Sequence, residues 1–586
     1  MFNKIINILD NKHKKYCLLL LILFFPVTIL ETVGIGSLPI FVIFITQPEN
    51  IADYFYFRQL NETINELTLY ERAVYGAITI SIIFLFKSLV VLGTSYYESN
   101  LVKKINILNS SRLYKNYLLK PYYFHVENEP PKLIQNMNDV SRSTGIVFAF
   151  ITLIKEIFLI SVIIIILFLS EPRMFSIVFG ILSLPLIVFY LFFKKILKNK
   201  GELARKYRIL SLKDLSQGFA GIKFTKLLNK ESLLYETYKK NFSIASHQDM
   251  FLIFLGKVPR ILLEIFAILG TLIIIISFIK VGNNFDELLP LLTFIVVATV
   301  RLIPSFGNIV SSLNNIKYNS VSLNNLYFAF SRKNLKESRN NFKEKIEKYQ
   351  NDKNNILNVH NLSYSYPGKS EVVLNDLSFD IKENTVVGIT GSSGSGKTTL
   401  VDILLGLLNP HTGSINNYGN DVFININLWR KNIGYVPQNV NLIDDTIKNN
   451  ICYGYKESSI NLDLLNKSIK FAELDNLIDK FPKKLDTNIG YQGLKISGGQ
   501  LQRIGIARAL YQNPNILVLD EATNALDIET EKNLIYNLSK FKPNLTIILI
   551  SHRMSVLKNC EQIIIIENGK IEFNGKFKDM PKLNKN

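Results

Sequence analysis

The sequence predicts a membrane all-α domain of six transmembrane helices extending into the cytoplasm, joined to a cytoplasmic α/β P-loop nucleotide-binding domain. Three observations carry this expectation. The long apolar blocks are confined to the first half of the 586 residues. From Ile356 onward, short β-branched runs alternate with helical segments, the pattern of a largely parallel sheet. Within that second half, Gly391-Ser392-Ser393-Gly394-Ser395-Gly396-Lys397-Thr398 fits G-x-x-x-x-G-K-[ST], a phosphate-binding loop. The boundaries drawn are 1–316 for the membrane domain, 317–355 for a linker and 356–586 for the nucleotide-binding domain.

Composition supports the membrane half. The chain is 48% hydrophobic with a mean hydropathy of +0.18, yet has a formal net charge of +19. A basic balance can indicate nucleic acid. Here cationic cytoplasmic loops between apolar spans explain both numbers, so no nucleic-acid partner is expected. Cys17, Cys452 and Cys560 show no CxxC spacing, so neither a metal site nor a disulfide framework is implied.

The six spans run over Cys17–Thr46, Ala73–Tyr96, Ile146–Ser170, Phe175–Phe193, Met250–Ile279 and Leu288–Ile309. Each is near or above the roughly 20 residues that a helical crossing needs. The first follows a basic N-terminus, but its apolar part is too long for a signal peptide, so it is read as a retained span. Lys and Arg crowd the segments after Tyr97 and after Phe193, whereas Gln47–Glu71 leans acidic. The N-terminus and both long loops are therefore expected in the cytoplasm. Ser99–Leu119 and Leu203–Ile244 carry helical apolar spacing, so the spans should continue as rods beyond the bilayer. Pro121–Asp139 and Lys213–Lys230 are candidates for short helices crossing the tips. Tyr318–Asn355 is polar and helix-compatible and reads as a cytoplasmic linker.

The phosphate loop has a clear physical basis. Its glycines let backbone N–H groups face an anion. Thr385–Thr390 is a strand candidate before it, and Thr399–Leu408 a helix candidate after it, whose N-terminus adds partial positive charge. Lys397 can reach the β- and γ-phosphates, and the Thr398 hydroxyl can ligate Mg²⁺. Ile516-Leu517-Val518-Leu519-Asp520-Glu521 is an apolar strand ending in two acids. A buried strand offers only its end to a nucleotide. Asp520 is thus placed to hold Mg²⁺ through water, and Glu521 to orient or deprotonate the attacking water.

Ser497-Gly498-Gly499-Gln500 opens a further helix and makes a second anion-binding nest. With Ile496 before it, this stretch resembles the signature motif of ATP-binding cassette proteins. The resemblance extends along the chain. Tyr366 in Tyr364-Ser365-Tyr366-Pro367-Gly368 resembles the aromatic that stacks on adenine. Gln438 in Tyr435-Val436-Pro437-Gln438 resembles the loop glutamine that reaches Mg²⁺. Asp527 in Ala525-Leu526-Asp527 resembles the D-loop, and His552 resembles the switch histidine that contacts the γ-phosphate. The cofactors implied are ATP and Mg²⁺, bound by these residues and by Gly391 to Thr399. With six spans ahead, the chain resembles an exporter-type half-transporter. The resemblance implies that the signature of one copy closes over the loop of another, so a homodimer is expected. Tyr491 departs from the pattern, standing where an acid is usual.

The spans contain ionisable residues, each costing at least about 2.5 kcal/mol near a bilayer centre unless shielded. Arg260 and Glu264 are spaced for an internal ion pair, and Lys155 with Glu156 lies toward a span end. Lys87, Arg260 and Arg301 form a cationic set suited to an anionic cargo. Glu31-Thr32, Val258-Pro259-Arg260 and Arg301-Leu302-Ile303-Pro304-Ser305 resemble bacterial flippases for lipid-linked oligosaccharides. That resemblance implies an inner-membrane location, membrane lipid as partner and an external helix, for which Ile51–Leu69 is the candidate. The alternative cargo is a peptide, lipid or drug-like compound. A membrane-tethered P-loop regulator or repair ATPase is a third reading, against which the six spans weigh.

Overall fold

The computed structural model describes residues 2–46, 67–170, 172–281, 285–330, 355–368, 371–490, 496–522 and 528–580. The chain divides into two compact units, Met1–Lys120 with Phe124–Asn341, and Pro121–Tyr123 with Phe342–Asn586.

The first unit is helical. Its long rods are α2 (Asn11–Thr46), α3 (Leu69–Leu118), α5 (Pro130–Ser170), α6 (Pro172–Ala220), α8 (Glu231–Val281) and α9 (Phe285–Tyr318). Every expected span lies inside one of these. Short helices α1 (Phe2–Ile8), α4 (Tyr122–Glu127), α7 (Ile222–Leu227) and α10 (Ser320–Phe330) complete the order. The two expected tip patches thus each contain a short helix, α4 and α7. Among the described residues, three helices are long and apolar enough to cross a membrane, on α2, α3 and α5. α3 starts on a capping box. The Thr68 hydroxyl accepts from the Glu71 N–H, and the Glu71 carboxylate accepts from the Thr68 N–H.

The rods continue past the apolar blocks because their polar ends are tied together. Asp139 on α5 is buried and accepts from Arg205 Nε of α6 at 2.7 Å and from Gln135 at 2.9 Å. Arg205 also donates to Asn136, which donates to the Tyr117 hydroxyl of α3. Asp249 on α8 takes Arg208 of α6 and the Tyr318 hydroxyl of α9, the latter at 2.6 Å, with Arg142 of α5 at 3.9 Å. Burial, with the Asp249 carboxylate beside it, raises the Tyr318 phenol. Beneath these ties lie apolar clusters such as Leu101, Ile105, Leu113 and Val140, and Leu159, Leu197, Leu255 and Leu302.

The segment expected as linker differs at its start. α10 buries Leu323, Leu326 and Phe330 in the first of these clusters. Their i, i+3, i+7 spacing makes one apolar stripe, which the polar average of the region conceals. Residues 331–354 and most of Ile51–Leu69 lie outside the described residues.

The second unit is α/β. A six-stranded sheet runs β10-β9-β3-β8-β7-β6. Its strands are β3 (Val386–Thr390), β6 (Ile433–Val436), β7 (Ile516–Asp520), β8 (Thr546–Ile550), β9 (Gln562–Glu567) and β10 (Lys570–Gly575). All neighbours from β9 to β6 pair parallel, and β10 alone is antiparallel. A second, antiparallel sheet orders β2 (Val372–Lys382), β1 (Asn355–Ser365), β4 (Thr412–Asn417) and β5 (Asn420–Asp421). Helix α11 (Lys397–Leu404) lies between the sheets in one core with Leu374, Ile389 and Val518. Helix α16 (Gly498–Tyr511) belongs to another core, with Leu517, Ile547 and Ile565. Between α11 and α16 the chain forms α12 (Ile426–Lys431), α13 (Ile447–Ile451), α14 (Leu462–Phe471) and α15 (Asp475–Ile478). Helix α17 (Ile528–Ser539) precedes β8, and α18 (Met554–Leu557) precedes β9.

Gly201 on α6 is a point of close backbone approach: a Cβ there would sit 2.0 Å from the Tyr318 carbonyl oxygen. Gly201→Ala should lower stability by about 1–3 kcal/mol, because main chain cannot yield as a side chain does. Gly145, with nothing within 4 Å of its would-be Cβ, is the control. Gly145→Ala should melt at or above the parent temperature in detergent, and Gly201→Ala below it.

Candidate functional site

A parallel sheet opens all its chemistry at one edge, beyond the C-terminal ends of its strands. Here β6 leads to Gln438, β7 to Glu521, β8 to His552 and β3 to Gly391. The motif residues, separated by up to 161 positions in sequence, are therefore neighbours in the fold.

Glu521 sits at the centre. It is a non-glycine residue in the left-handed region, φ +49°, which costs of order 1–3 kcal/mol. The turn directs its carboxylate across the strand ends. Gln438 Nε2 donates to one oxygen at 2.6 Å, and His552 Nε2 lies 3.2 Å from the other. Asp520 precedes it and accepts from the Tyr435 hydroxyl at 3.3 Å. Burial raises the Asp520 carboxyl, with Glu521 adding to the effect and Tyr435 and Lys397 opposing it.

The glycine loop has the backbone its sequence requires. Gly391, Gly394 and Gly396 have φ of +151°, +81° and +101°. Gly396 caps α11, which begins at Lys397. Thr398 is exposed, while Ser393 and Gly394 face solvent on the loop. The Ser395 hydroxyl is buried and has no hydrogen-bond partner among the described residues. Lys397 Nζ turns back onto the loop, donating to the Gly391 and Ser392 carbonyls at 2.9 and 2.6 Å. Burial lowers its pKa against the pull of Glu521, Glu567 and Asp520. Positive-φ glycines, a helix N-terminus, a partly desolvated ammonium and an orphaned hydroxyl fit a polyphosphate. Thr398, Gln438 and Asp520 supply the oxygen donors that suit Mg²⁺.

Tyr366 lies at the rim. Its hydroxyl meets the Thr399 hydroxyl at 3.2 Å and its ring stands edge-on to Tyr364. Ser497 caps α16, and with Gly498 it is exposed, while Gly499 and Gln500 are half-buried. A capping box locks them: Gln500 N–H donates to the Ser497 hydroxyl, and Ser497 N–H to the Gln500 side chain. Asp527 and Tyr491 lie outside the described residues.

The proposed cargo residues sit in the helical unit. Lys87 of α3 lies over the Phe84 ring, and its chain meets the would-be Cβ of Gly34 on α2 at 3.3 Å. Arg260 forms the expected pair with Glu264 at 2.9 Å. Arg301 lies on α9, and its side chain is outside the described ones. Glu156 finds Asn308 of α9 at 2.9 Å, and Lys155 lies over Phe24.

Three further residues were not singled out from sequence. Tyr435 holds Asp520. Glu567 contacts Ser392, and its signal was present: four isoleucines run into an acid, the same pattern as β7. Asp402 of α11 is pushed up to about 6 by burial, with Asp520 adding.

A family model described as ABC transporter matches residues 374–524. The ATP-dependent lipid A-core flippase of Pasteurella multocida is 38% identical over 229 residues, 39% of this chain and 39% of that protein. A putative export ATP-binding/permease protein of Rickettsia bellii is 38% identical over 221 residues, 37% of this chain and 38% of that one. Each match spans well under half of the relative's length. A bacterial Atm1-family ABC exporter solved with ATP bound superposes with a TM-score of 0.75 at 18% identity, over 97% of this chain and 96% of that one. Residues 374–524 of the second unit thus match an ABC transporter domain, and the whole chain has the fold of an ABC exporter. In chain order, one helical unit is followed by one α/β unit.

Asp402 gives a pH signature. Its folded pKa lies above the ordinary 3.8, so folding takes up a proton between about pH 4 and 6. The resulting destabilisation is absent below pH 4 and complete above pH 6. In nucleotide-free protein, Asp402→Asn should raise the melting temperature at pH 7, by on the order of 2 kcal/mol in stability. The difference should close as the pH falls to 4.

Proposed function

We propose that this chain is an ATP-hydrolysing membrane transporter that works as a dimer and flips or exports an amphiphilic anionic substrate from the cytoplasmic side. The observation that carries the reading is the Glu521 carboxylate, turned out of a buried strand and bracketed by Gln438 and His552 beside Lys397. This is the arrangement needed to position a water for attack on a terminal phosphate.

In this reading Tyr366 stacks on the adenine. The loop from Gly391 to Thr399 and the Lys397 ammonium hold the phosphates, with Ser392 tied by its N–H to Glu567. Thr398, Gln438 and Asp520 would hold Mg²⁺, which would supply positive charge to the phosphate oxygens. Glu521 takes or orients the proton of the attacking water, and His552 senses the γ-phosphate. Ser497 to Gln500 and Asp527 complete the site of a second copy. Lys397 must leave the Gly391 and Ser392 carbonyls, and Glu521 must release Gln438 or His552, so binding and hydrolysis each begin by breaking contacts described above.

For the cargo, Lys87, Arg260 and Arg301 favour a phosphate-bearing head group, most specifically a polyprenyl-diphosphate-linked oligosaccharide in a bacterial inner membrane. The lipid A-core flippases among the relatives support a lipid of this general kind. The Arg260–Glu264 pair favours a second reading, in which Arg260 is internally neutralised and the cargo is a peptide, lipid or drug-like compound.

Glu521→Gln should bind ATP with an affinity within about threefold of the parent and hydrolyse it 10²–10⁴-fold more slowly. Turnover near the parental rate would remove Glu521 from this role. In proteoliposomes, neutralising Lys87, Arg260 and Arg301 together should abolish ATP-dependent flipping of a polyprenyl-diphosphate-linked oligosaccharide while basal ATPase persists. Unchanged flipping would favour the second cargo reading.

A further inference from the structure

β9 is the parallel neighbour of β3 on the side opposite β8. Its C-terminal end therefore reaches the same edge as the glycine loop. Its last residue is Glu567, and the contact there is dense. One Glu567 oxygen accepts from the Ser392 backbone N–H at 2.8 Å, and the other from the Ser392 hydroxyl at 2.5 Å. Two residues on, Gly569 N–H donates to the Ser395 carbonyl at 3.2 Å, and its own carbonyl accepts from Asn375 at 2.8 Å. A Cβ on Gly391 would lie 2.0 Å from the Ile566 carbonyl, and one on Gly569 2.4 Å from the Val373 carbonyl. The β9–β10 turn is thus fitted under the loop from Gly391 to Ser395 with no room to shift.

The loop's first limb is held from two sides. Lys397 Nζ binds the Gly391 and Ser392 carbonyls from within, and Glu567 binds the Ser392 N–H and hydroxyl from outside. An ammonium that turns toward phosphates gives up the inner tie. The outer one does not depend on Lys397.

We infer that Glu567 is a positioning residue for ATP binding: it braces the loop through Ser392 so that the loop amides keep their inward aim once Lys397 has moved to the phosphates. The inference rests on the reading of 391–398 as the ATP-binding loop. Glu567 does not touch the nucleotide, and its effect runs through Ser392. The brace is geometric, so an amide serves in place of the carboxylate. A glutamine accepts from the Ser392 N–H through its oxygen and donates to the Ser392 hydroxyl through its NH₂.

The test uses full-length protein in nanodiscs, with MgATP titrations and steady-state ATPase. Glu567→Ala should raise Kd and KM for ATP at least fivefold while lowering kcat less than threefold. Glu567→Gln should stay within twofold of the parent in KM. Ser392→Ala, which keeps the carboxylate and loses one bond, should shift KM in the same direction as Glu567→Ala but by less, and it serves if Glu567→Ala does not fold. The inference is overturned if Glu567→Ala leaves KM within twofold of the parent. It is also overturned if Glu567→Gln matches Glu567→Ala, since the effect would then be one of charge. Parent protein that binds no ATP, or that binds it equally well with Lys397→Ala, would sink the ATP-loop reading and the brace with it; normal parent binding with no Glu567 effect sinks the brace alone.

Discussion

The second unit depends on one constraint: a strand buried on both faces can expose chemistry only where it ends. β7 has Ile516, Leu517, Val518 and Leu519 essentially inaccessible to water, so Asp520 and Glu521 are its whole contribution to the surface. β3, β6, β8 and β9 obey the same rule in the same direction. The site is the line of their termini, and the order of strands in the sheet fixes which groups meet. Gln438 and His552 reach Glu521 because β6 and β8 flank β7. Ser392 and Glu567 meet because β3 and β9 are adjacent.

That line is crowded with like charge. Asp520, Glu521 and Glu567 act on one lysine, Asp402 adds to the charge beside Asp520, and burial works against every one of the shifted groups among them. Tyr435 and Lys397 relieve Asp520 in part. A magnesium-bound polyphosphate would bring the divalent cation that such acids favour, and would place its phosphate charge by the glycine loop and Lys397.

Much of this was legible in sequence because it is local. The glycine loop, the strand ending in Asp520-Glu521 and the Ser497 cap are each set within a few residues. Arg260 and Glu264 were legible for the same reason, since i, i+4 residues share a helix face. Lys155 and Glu156 show the limit: adjacent residues point apart on a helix, and Glu156 instead finds Asn308, 152 positions away. Glu567 and Ser392 are 175 positions apart, and only the parallel pairing of β9 with β3 brings them together. The packing of α10 was not legible because its buried apolar residues, Leu323, Leu326 and Phe330, lie in a segment rich in Lys, Asn and Glu.

The Asp249 cluster has a mechanical meaning. One carboxylate engages side chains from three other rods, so no single rod can advance by a helical turn, about 5.4 Å, without severing the cluster. Sliding of α5, α6, α8 or α9 past the others would cost these ties, which favours their moving together there. Bending is left to places such as Pro259, ten residues along α8, where the missing amide hydrogen already weakens the rod.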